Sequence, residues 1–366
     1  MVNKLIVSNI LYRPVRTALS ALAVAMEVAM VMLFVGLAHG LVNESAQRLE
    51  GVGADIMVQP PGASFLLAFS QAPMPMAIGD KLRELPHVLA VAPVLFNFSS
   101  VGNLIIIYGI DMPSFVRVSG GFAYHSGGPF VNPYDILVDD LYAKANHVKM
   151  GQTLRLLNHD FHVCGIVEHG KGARLFIPLP TAEDLLQVQN KASIFFIKCT
   201  EAAYTGAVAD EIRQAASKYQ VWPVREYMSL MTSNNLPFLN DFIGVVITIA
   251  VGIGFLVIFL AMYTTVTERT REIGILKSLG ASKGYIIAVI LREAALLGAV
   301  GIIVGYAIAV LARKAILANH PTLFIDLTVE WAFYAALLAL AGSIVGAFYP
   351  AMRASRLDPV DALAYE

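Results

Sequence analysis

The chain has 366 residues, 57% of them hydrophobic and only 14% charged, where an average globular domain has roughly 45–50% and about 25%. That bias excludes a disordered chain. The 26 Lys and Arg nearly balance the 27 Asp and Glu, so no basic field is available to hold nucleic acid, and two cysteines cannot build a disulfide framework.

A mean hydropathy of +0.65 points to a membrane protein with a sizeable water-soluble part. In chain order, residues 1–17 lead into a first candidate span at 18–38, interrupted only by Glu27. Crossing about 30 Å of hydrocarbon takes about 20 apolar residues. The run exceeds the roughly 7–15 residues of a signal-peptide core and no cleavage pattern follows it, so it reads as a retained helix. Glu27 lies about 15 Å into the span at 1.5 Å per residue, where a charged carboxylate costs roughly 2.5–3.5 kcal/mol on insertion scales. Two roles stay open for it: a polar contact for substrate or for a moving bundle, or a partner of Arg292, which enters from the same side.

Residues 39–241 contain no further span and read as one extracytoplasmic α+β domain. Short Val- and Ile-rich runs bounded by Gly, Pro or Asp predict strands at Ala54–Val58, Val88–Phe96, Leu104–Ile110, Ile136–Val138, Thr153–Leu157, Phe161–Val167, Leu175–Ile177 and Ser193–Lys198. Helices are expected at Ile78–Leu85, Asp140–His147, Thr181–Gln189 and Ala202–Tyr219, with Thr181 at a helix start supported by Glu183 and Asp184. Pro60–Met76 mixes Pro, Gly, Met and Phe without period. It reads as an irregular loop that either meets lipid or an apolar substrate, or packs on its own domain or a neighbouring subunit.

Three spans follow: 242–263, which carries no charge; 286–312, which must accommodate Arg292 and Glu293; and 331–348. Between them lie 264–285, a short loop at 313–330 and a tail at 349–366. Small-xxx-small pairs occur at Gly36/Gly40, Gly301/Gly305 and Gly342/Gly346, which suit close helix packing and a dimer seam. Segments 1–17, 264–285 and 349–366 hold nine Lys and Arg against four in the stretches flanking the other ends of the spans. This places both termini in the cytoplasm and the large domain outside.

Several chemistries find no support. Gly170-Lys171-Gly172 lacks the G-x-x-x-x-G-K-[ST] frame that cradles phosphates, and neither G-x-S-x-G nor H-E-x-x-H occurs. His159, His162, Cys164, Glu168 and His169 crowd one region without the paired spacing of a zinc site, so no metal is expected. Cys164 and Cys199 either pair or stay as buried thiols.

The most informative stretch runs from Glu268 to Gly280. Glu268, Arg269, Arg271, Glu272 and Lys277 are interleaved with Ile273, Leu276 and Leu279 at helical spacing, and Gly280 suits a helix end. The positive-inside rule explains the basic residues but neither the glutamates nor the apolar period. A short amphipathic helix held between two spans is suited to pressing into a groove on a cytoplasmic partner.

At this point the residues carry a resemblance. Residues 268–282 (ERTREIGILKSLGAS) resemble the signature between the second and third spans of MacB/FtsX-type ABC transporter permeases, which include lipoprotein-release permeases and DevC-type exporters. Residues 349–366 (YPAMRASRLDPVDALAYE) resemble that family's cytoplasmic tail, and 13–29 (RPVRTALSALAVAMEVA) the approach to its first span. ILVDDLYAKANHVKMGQTLRL, FHVCGIVE and RLFIPL resemble the β-rich part of its periplasmic domain, while residues 60–130 match nothing in it.

The resemblance implies a membrane α-helical fold of four transmembrane helices with a large α+β periplasmic-type domain between the first two. It implies a homodimer in the bacterial inner membrane with two copies of a separate ABC ATPase. ATP and Mg would be bound by that partner, not by this chain, and Glu268–Gly280 would be the coupling helix. The expected function is export or extraction of an apolar or amphipathic substrate (lipid, lipoprotein, glycolipid, haem or drug-like compound), with a periplasmic adaptor or outer-membrane component as a further partner. The alternative is mechanotransmission to an external partner such as a cell-wall hydrolase, without transport. A peptide sensor is disfavoured, because the members of that branch are much longer.

Overall fold

The structure, a computed structural model, describes residues 14–63, 73–99, 105–230 and 237–359. It divides into two compact units, one of Met1–Gly40, Phe238–Ala318 and Ile325–Glu366, the other of Leu41–Pro237 and Asn319–Phe324.

The first unit is a bundle built on four helices long and apolar enough to cross a membrane. The first long helix runs Pro14–Gly51, its residues from Leu41 onward belonging to the second unit. The second is Pro237–Glu268, the third Lys283–Asn319 and the fourth Val329–Arg356. A short helix, Thr270–Ser278, joins the second to the third. Thr328 caps the fourth by accepting from the Trp331 amide.

The first helix is the most enclosed of the four. Val24 and Val28 are fully buried on it, in one cluster with Ile258, Ala294, Ala309 and Ala339. Glycines let the helices approach. A Cβ at Gly301 would lie 2.6 Å from that of Val24, and one at Gly305 would lie 2.7 Å from the Ala25 carbonyl oxygen. A Cβ at Gly346 would stand 2.9 Å from the Phe255 carbonyl, while Gly342 has only Val251 nearby, at 3.9 Å. Gly36 faces the stretch before the fourth helix, where the Asp326 amide donates to the Gly36 carbonyl at 2.9 Å; Gly40 is buried. Gly36, Gly301, Gly305 and Gly346 therefore serve packing inside the chain.

The second unit is a ten-stranded mixed sheet. In chain order its strands, with a separate two-stranded ribbon, are β1 Ile56–Gln59, β2 Met74–Pro75, β3 Val88–Ser99, β4 Ile105–Ile110, β5 Tyr124–Gly127, β6 Asp135–Asp139, β7 Thr153–Leu156, β8 His159–Val167, β9 Leu175–Pro178, β10 Lys191–Ala192, β11 Ile194–Cys199 and β12 Gln220–Pro223. The main path is β12-β1-β11-β3-β4-β9-β6-β8-β5, with β7 on β8, and β2 pairs with β10. Burial on both faces explains the unbroken apolar runs. Phe195 and Ile197 pack with Val208 and Ile212 of helix Thr205–Ala215, whereas Phe196 packs with Phe115 of helix Met112–Ser119 and with Tyr227. That second helix begins on an Asp111 cap and ends at Gly120, whose φ of 73° needs a glycine.

The eight expected strands all form, with ends shifted by a residue or a few. Two helix expectations change. Thr181 does not start its helix, which runs Leu179–Leu186 from Pro178, because its hydroxyl is spent on the Pro133 carbonyl. The expected Ala202–Tyr219 helix shortens to Thr205–Ala215 after a single 3-10 turn at Ala202–Tyr204. Of the expected loop Pro60–Met76, residues 64–72 lie outside the described residues, and Met74–Pro75 is regular, paired with Lys191–Ala192.

The packing at Gly305 predicts that Gly305→Leu destabilises the chain by more than the roughly 1–3 kcal/mol typical of overpacking, and that Gly342→Ala is tolerated. Thermal melting of the detergent-solubilised chain checks both; equal midpoints for the two variants would contradict this packing.

Candidate functional site

The short helix Thr270–Ser278 has two unlike faces. Thr270, Ile273 and Gly274 are buried and Leu276 is half-buried against the bundle core. Two cations fasten this inner side. Arg269 Nε meets Glu272 Oε2 at 2.8 Å, and its Nη1 reaches Glu293 Oε2 of the third helix at 3.4 Å. Lys277 Nζ donates to the Ser355 carbonyl at 3.0 Å and also to that of Leu357, at the end of the fourth helix. These carbonyls lie at the C-terminal end of the fourth helix, where the dipole is negative, so an ammonium is a natural partner.

The outer side is open to solvent. Glu268, Arg271 and Glu272 are exposed, together with Ile275 at 46% and Leu279 at 81%. Gly280 ends the turn at φ 93°. Leu279 therefore does not join Ile273 and Leu276 in one stripe. It lies with Ile275 on the opposite face, because the helix runs only to Ser278 and Leu279 is already past its last turn.

Arg292 and Glu27 do not form an ion pair. Arg292 is exposed, and its neighbour Glu293, a helical step of 100° away, turns inward to Arg269. Glu27 is buried at 6% exposure. Its Oε1 has no hydrogen-bond partner among the described residues. The carboxyl fits a notch at Gly254 of the second helix, where a Cβ would lie 1.8 Å from Oε2.

The histidine-rich hairpin holds no ligand set. His162 Nδ1 lies 3.3 Å from Asp135, His169 Nδ1 lies 2.9 Å from Asp140, and His159 stacks on Tyr134. Among the described residues no group of three or more His, Cys, Asp or Glu is placed to hold a metal ion. Burial, with Asp135 nearby, pushes the Cys164 thiol up to about 12, so little thiolate exists near neutral pH. Both cysteines are free: Cys164 on β8 and Cys199 on β11 have β3, β4, β9 and β6 between them, far beyond disulfide reach.

Sequence reasoning missed one constellation, in the second unit. Arg174, 8% exposed, donates to Asp139 Oδ2 at 3.0 Å, Glu44 Oε1 at 2.8 Å and the Thr322 carbonyl at 3.1 Å. Glu44 also holds Arg48, one turn along the first helix, at 2.7 Å. Asp139 caps helix Asp140–Ala145 through the Tyr142 amide at 2.6 Å. Burial raises the Asp139 carboxyl above its ordinary value, against the pull of Arg174. The available signal was a lone arginine opening an apolar strand, RLFIPL.

A transmembrane bundle with a cation-fastened helix on one connection and a mixed-sheet domain on another defines a membrane permease with an extracytoplasmic-type domain. The family model described as "MacB-like periplasmic core domain" matches residues 17–215, more than half of the chain, and "FtsX-like permease C-terminal" matches 244–359. The chain belongs to the MacB/FtsX-type family of ABC transporter permeases. It is 25% identical to the "Macrolide export ATP-binding/permease protein MacB" of Sodalis glossinidius and 27% identical to that of Rhodospirillum rubrum. Each match covers 96% of this chain, which spans 58% of the length of those relatives. The crystal structure of the periplasmic region of MacB from Actinobacillus actinomycetemcomitans overlays with a TM-score of 0.38 at 15% identity, over 48% of this chain and 92% of that one.

Removing one member of a buried ionic cluster costs about 3–5 kcal/mol, because the others stay charged and unpaired. Arg174→Met is therefore expected to lower the melting temperature sharply, and Glu44→Gln added to it to recover part of the loss; an unchanged melt for Arg174→Met would contradict the cluster's role. Gly254→Ala is expected to destabilise by about 1–3 kcal/mol in the wild-type background and by much less beside Glu27→Ala, with equal costs in both backgrounds as the contrary result.

Proposed function

We propose that the chain is the membrane subunit of an ATP-driven exporter or extractor of an apolar or amphipathic substrate. Its Thr270–Ser278 helix receives the stroke of an ABC ATPase. The observation that carries this reading is the division of that helix into a fastened face and a solvent-exposed one. Ile273 sits in the bundle core, and Arg269 and Lys277 tie the helix to the third and fourth helices, while Arg271, Glu272, Ile275 and Leu279 are exposed. An apolar pair beside mixed charge is what a partner groove can grip in a fixed register.

ATP and Mg would be bound by the ATPase, as kinship with ABC transporter permeases suggests. The distribution of Lys and Arg supports cytoplasmic termini and an inner-membrane location, which puts the short helix on the side where ATP is found. Two copies of the chain would work with two of the ATPase. The relatives named as macrolide exporters support export as the direction. The mostly apolar faces that the second and fourth helices leave exposed suit a substrate drawn from the bilayer.

Reconstitution with the cognate ATPase tests the reading. Ile275→Asp with Leu279→Asp, or charge reversal at Glu268 and Glu272, is expected to lower the chain's effect on ATP turnover about tenfold or more, as loss of about 1.4 kcal/mol of docking energy would. Membrane insertion and melting should stay as in the wild type. Full stimulation by both variants would overturn the docking role.

A further inference from the structure

The end of the fourth helix carries a cationic pocket that the docking face does not use. An open cavity of about 300 Å³ is lined by Tyr349, Met352, Arg353, Arg356 and Leu357. Arg353 lies over the Tyr263 ring, 4.9 Å from its centroid, and donates to the Tyr263 hydroxyl. This fixes the guanidinium while leaving most of its five N–H donors unused. Arg356 stands one turn further on, so both cations flank the same opening. Both are exposed, and neither has a carboxylate partner among the described residues.

Both arginines lie in the last turn and favour the helix dipole, but direct capping of the Ser355 and Leu357 carbonyls falls to Lys277, so the guanidiniums remain free to meet an anion. Depth is the second argument. The apolar stretch ends at Phe348, and Arg353 and Arg356 follow it by about 7.5 and 12 Å of helix rise. The polar layer of a bilayer takes roughly 5–7 Å on each side, so the pocket lies at headgroup level and just beyond. Tyr263 and Tyr349 are the interfacial aromatic residues expected there. Val345 and Phe348, exposed on the preceding turns, offer an apolar wall for acyl chains.

We infer that this pocket binds the phosphate of an anionic phospholipid of the cytoplasmic leaflet. Two guanidiniums three residues apart suit a phosphodiester whose charge is not cancelled by an ammonium of its own. Phosphatidylglycerol and cardiolipin satisfy that condition and phosphatidylcholine does not. The leaflet assignment rests on the cytoplasmic placement adopted in the proposed function. Since Lys277 ties the end of this helix to the short helix, a lipid held here stiffens the anchor of the lever.

Native mass spectrometry of the full chain, purified without any ATPase, tests the pocket on its own. After delipidation and addition of defined lipids, the wild type is expected to retain phosphatidylglycerol in preference to phosphatidylcholine. The combined Arg353→Gln and Arg356→Gln variant should lose roughly thirtyfold in that preference, and Arg356→Gln alone roughly fivefold. Arg356 is exposed and makes no hydrogen bond or ion pair with the described residues, so the single variant decides the matter if the double variant fails to fold. Equal retention of the two lipids by the wild type, or undiminished preference in both variants, would overturn the site. Displacement by millimolar inorganic phosphate would overturn the lipid in favour of free phosphate. Labelling of a cysteine placed at Ser282 from either side of the membrane reads the sidedness separately.

Discussion

Two inward-turned cations, Arg269 and Lys277, hold the short helix between the second and third spans against the third and fourth helices, and the placement of its outer face depends on that hold. A helix of nine residues is too short to persist by propensity alone. Its rigidity comes from Ile273 in the core, from Arg269 against the buried Glu293 and from Lys277 in the last carbonyls of the fourth helix. Two of these contacts reach specific long helices, the third and the fourth, and Ile273 sits in the core that all four share. Charge placement follows the same economy. The carbonyl end of the fourth helix meets a lysine from the neighbouring segment, and the outer face keeps Arg271 in water.

The second unit rests on another concentration of charge. Arg174 joins Asp139, at the junction of β6 and its following helix, to Glu44 on the continuation of the first helix and to the Thr322 carbonyl. Hydrophobic side chains of the same volume would pack there without any desolvation penalty, so the cluster contributes geometry rather than net stability. An ion-paired arginine accepts few positions. Within the second unit it ties the last turns of the first helix, through Glu44, to the start of β9.

Much of this was legible in the sequence because the signals were local. Four apolar runs, eight Val- and Ile-rich strands and the alternation of charge with Ile and Leu after Glu268 each declare themselves within twenty residues. What escaped depended on partners distant along the chain. Leu279 was assigned by periodicity to the buried stripe, but the helix stops before it and the side chain emerges on the other face. Arg292 and Glu293 are neighbours of opposite charge, and only the positions of Arg269 and of the bundle show which one turns inward. Thr181 looked like a cap until Pro133 claimed its hydroxyl. Arg174 lies 130 residues from Glu44 and 148 from Thr322, separations at which no sequence pattern speaks. The glycine pairs were recognisable as packing sites, yet only the structure shows Gly301 and Gly305 closing on Val24 and Val28 of the same chain.

In the proposed function the surface formed by Ile275 and Leu279 meets an ATPase on the inner side of the membrane. Site-specific photocrosslinking in cells addresses it directly, with a photoreactive residue at Leu279 or Ile275 and, as a control, at Val131, whose side chain is 85% exposed in the second unit. The account predicts an adduct with an ABC ATPase from positions 275 and 279 and none from 131. An adduct from 131 alone, or labelling of position 279 by a reagent confined to the outside of the cell, would contradict it.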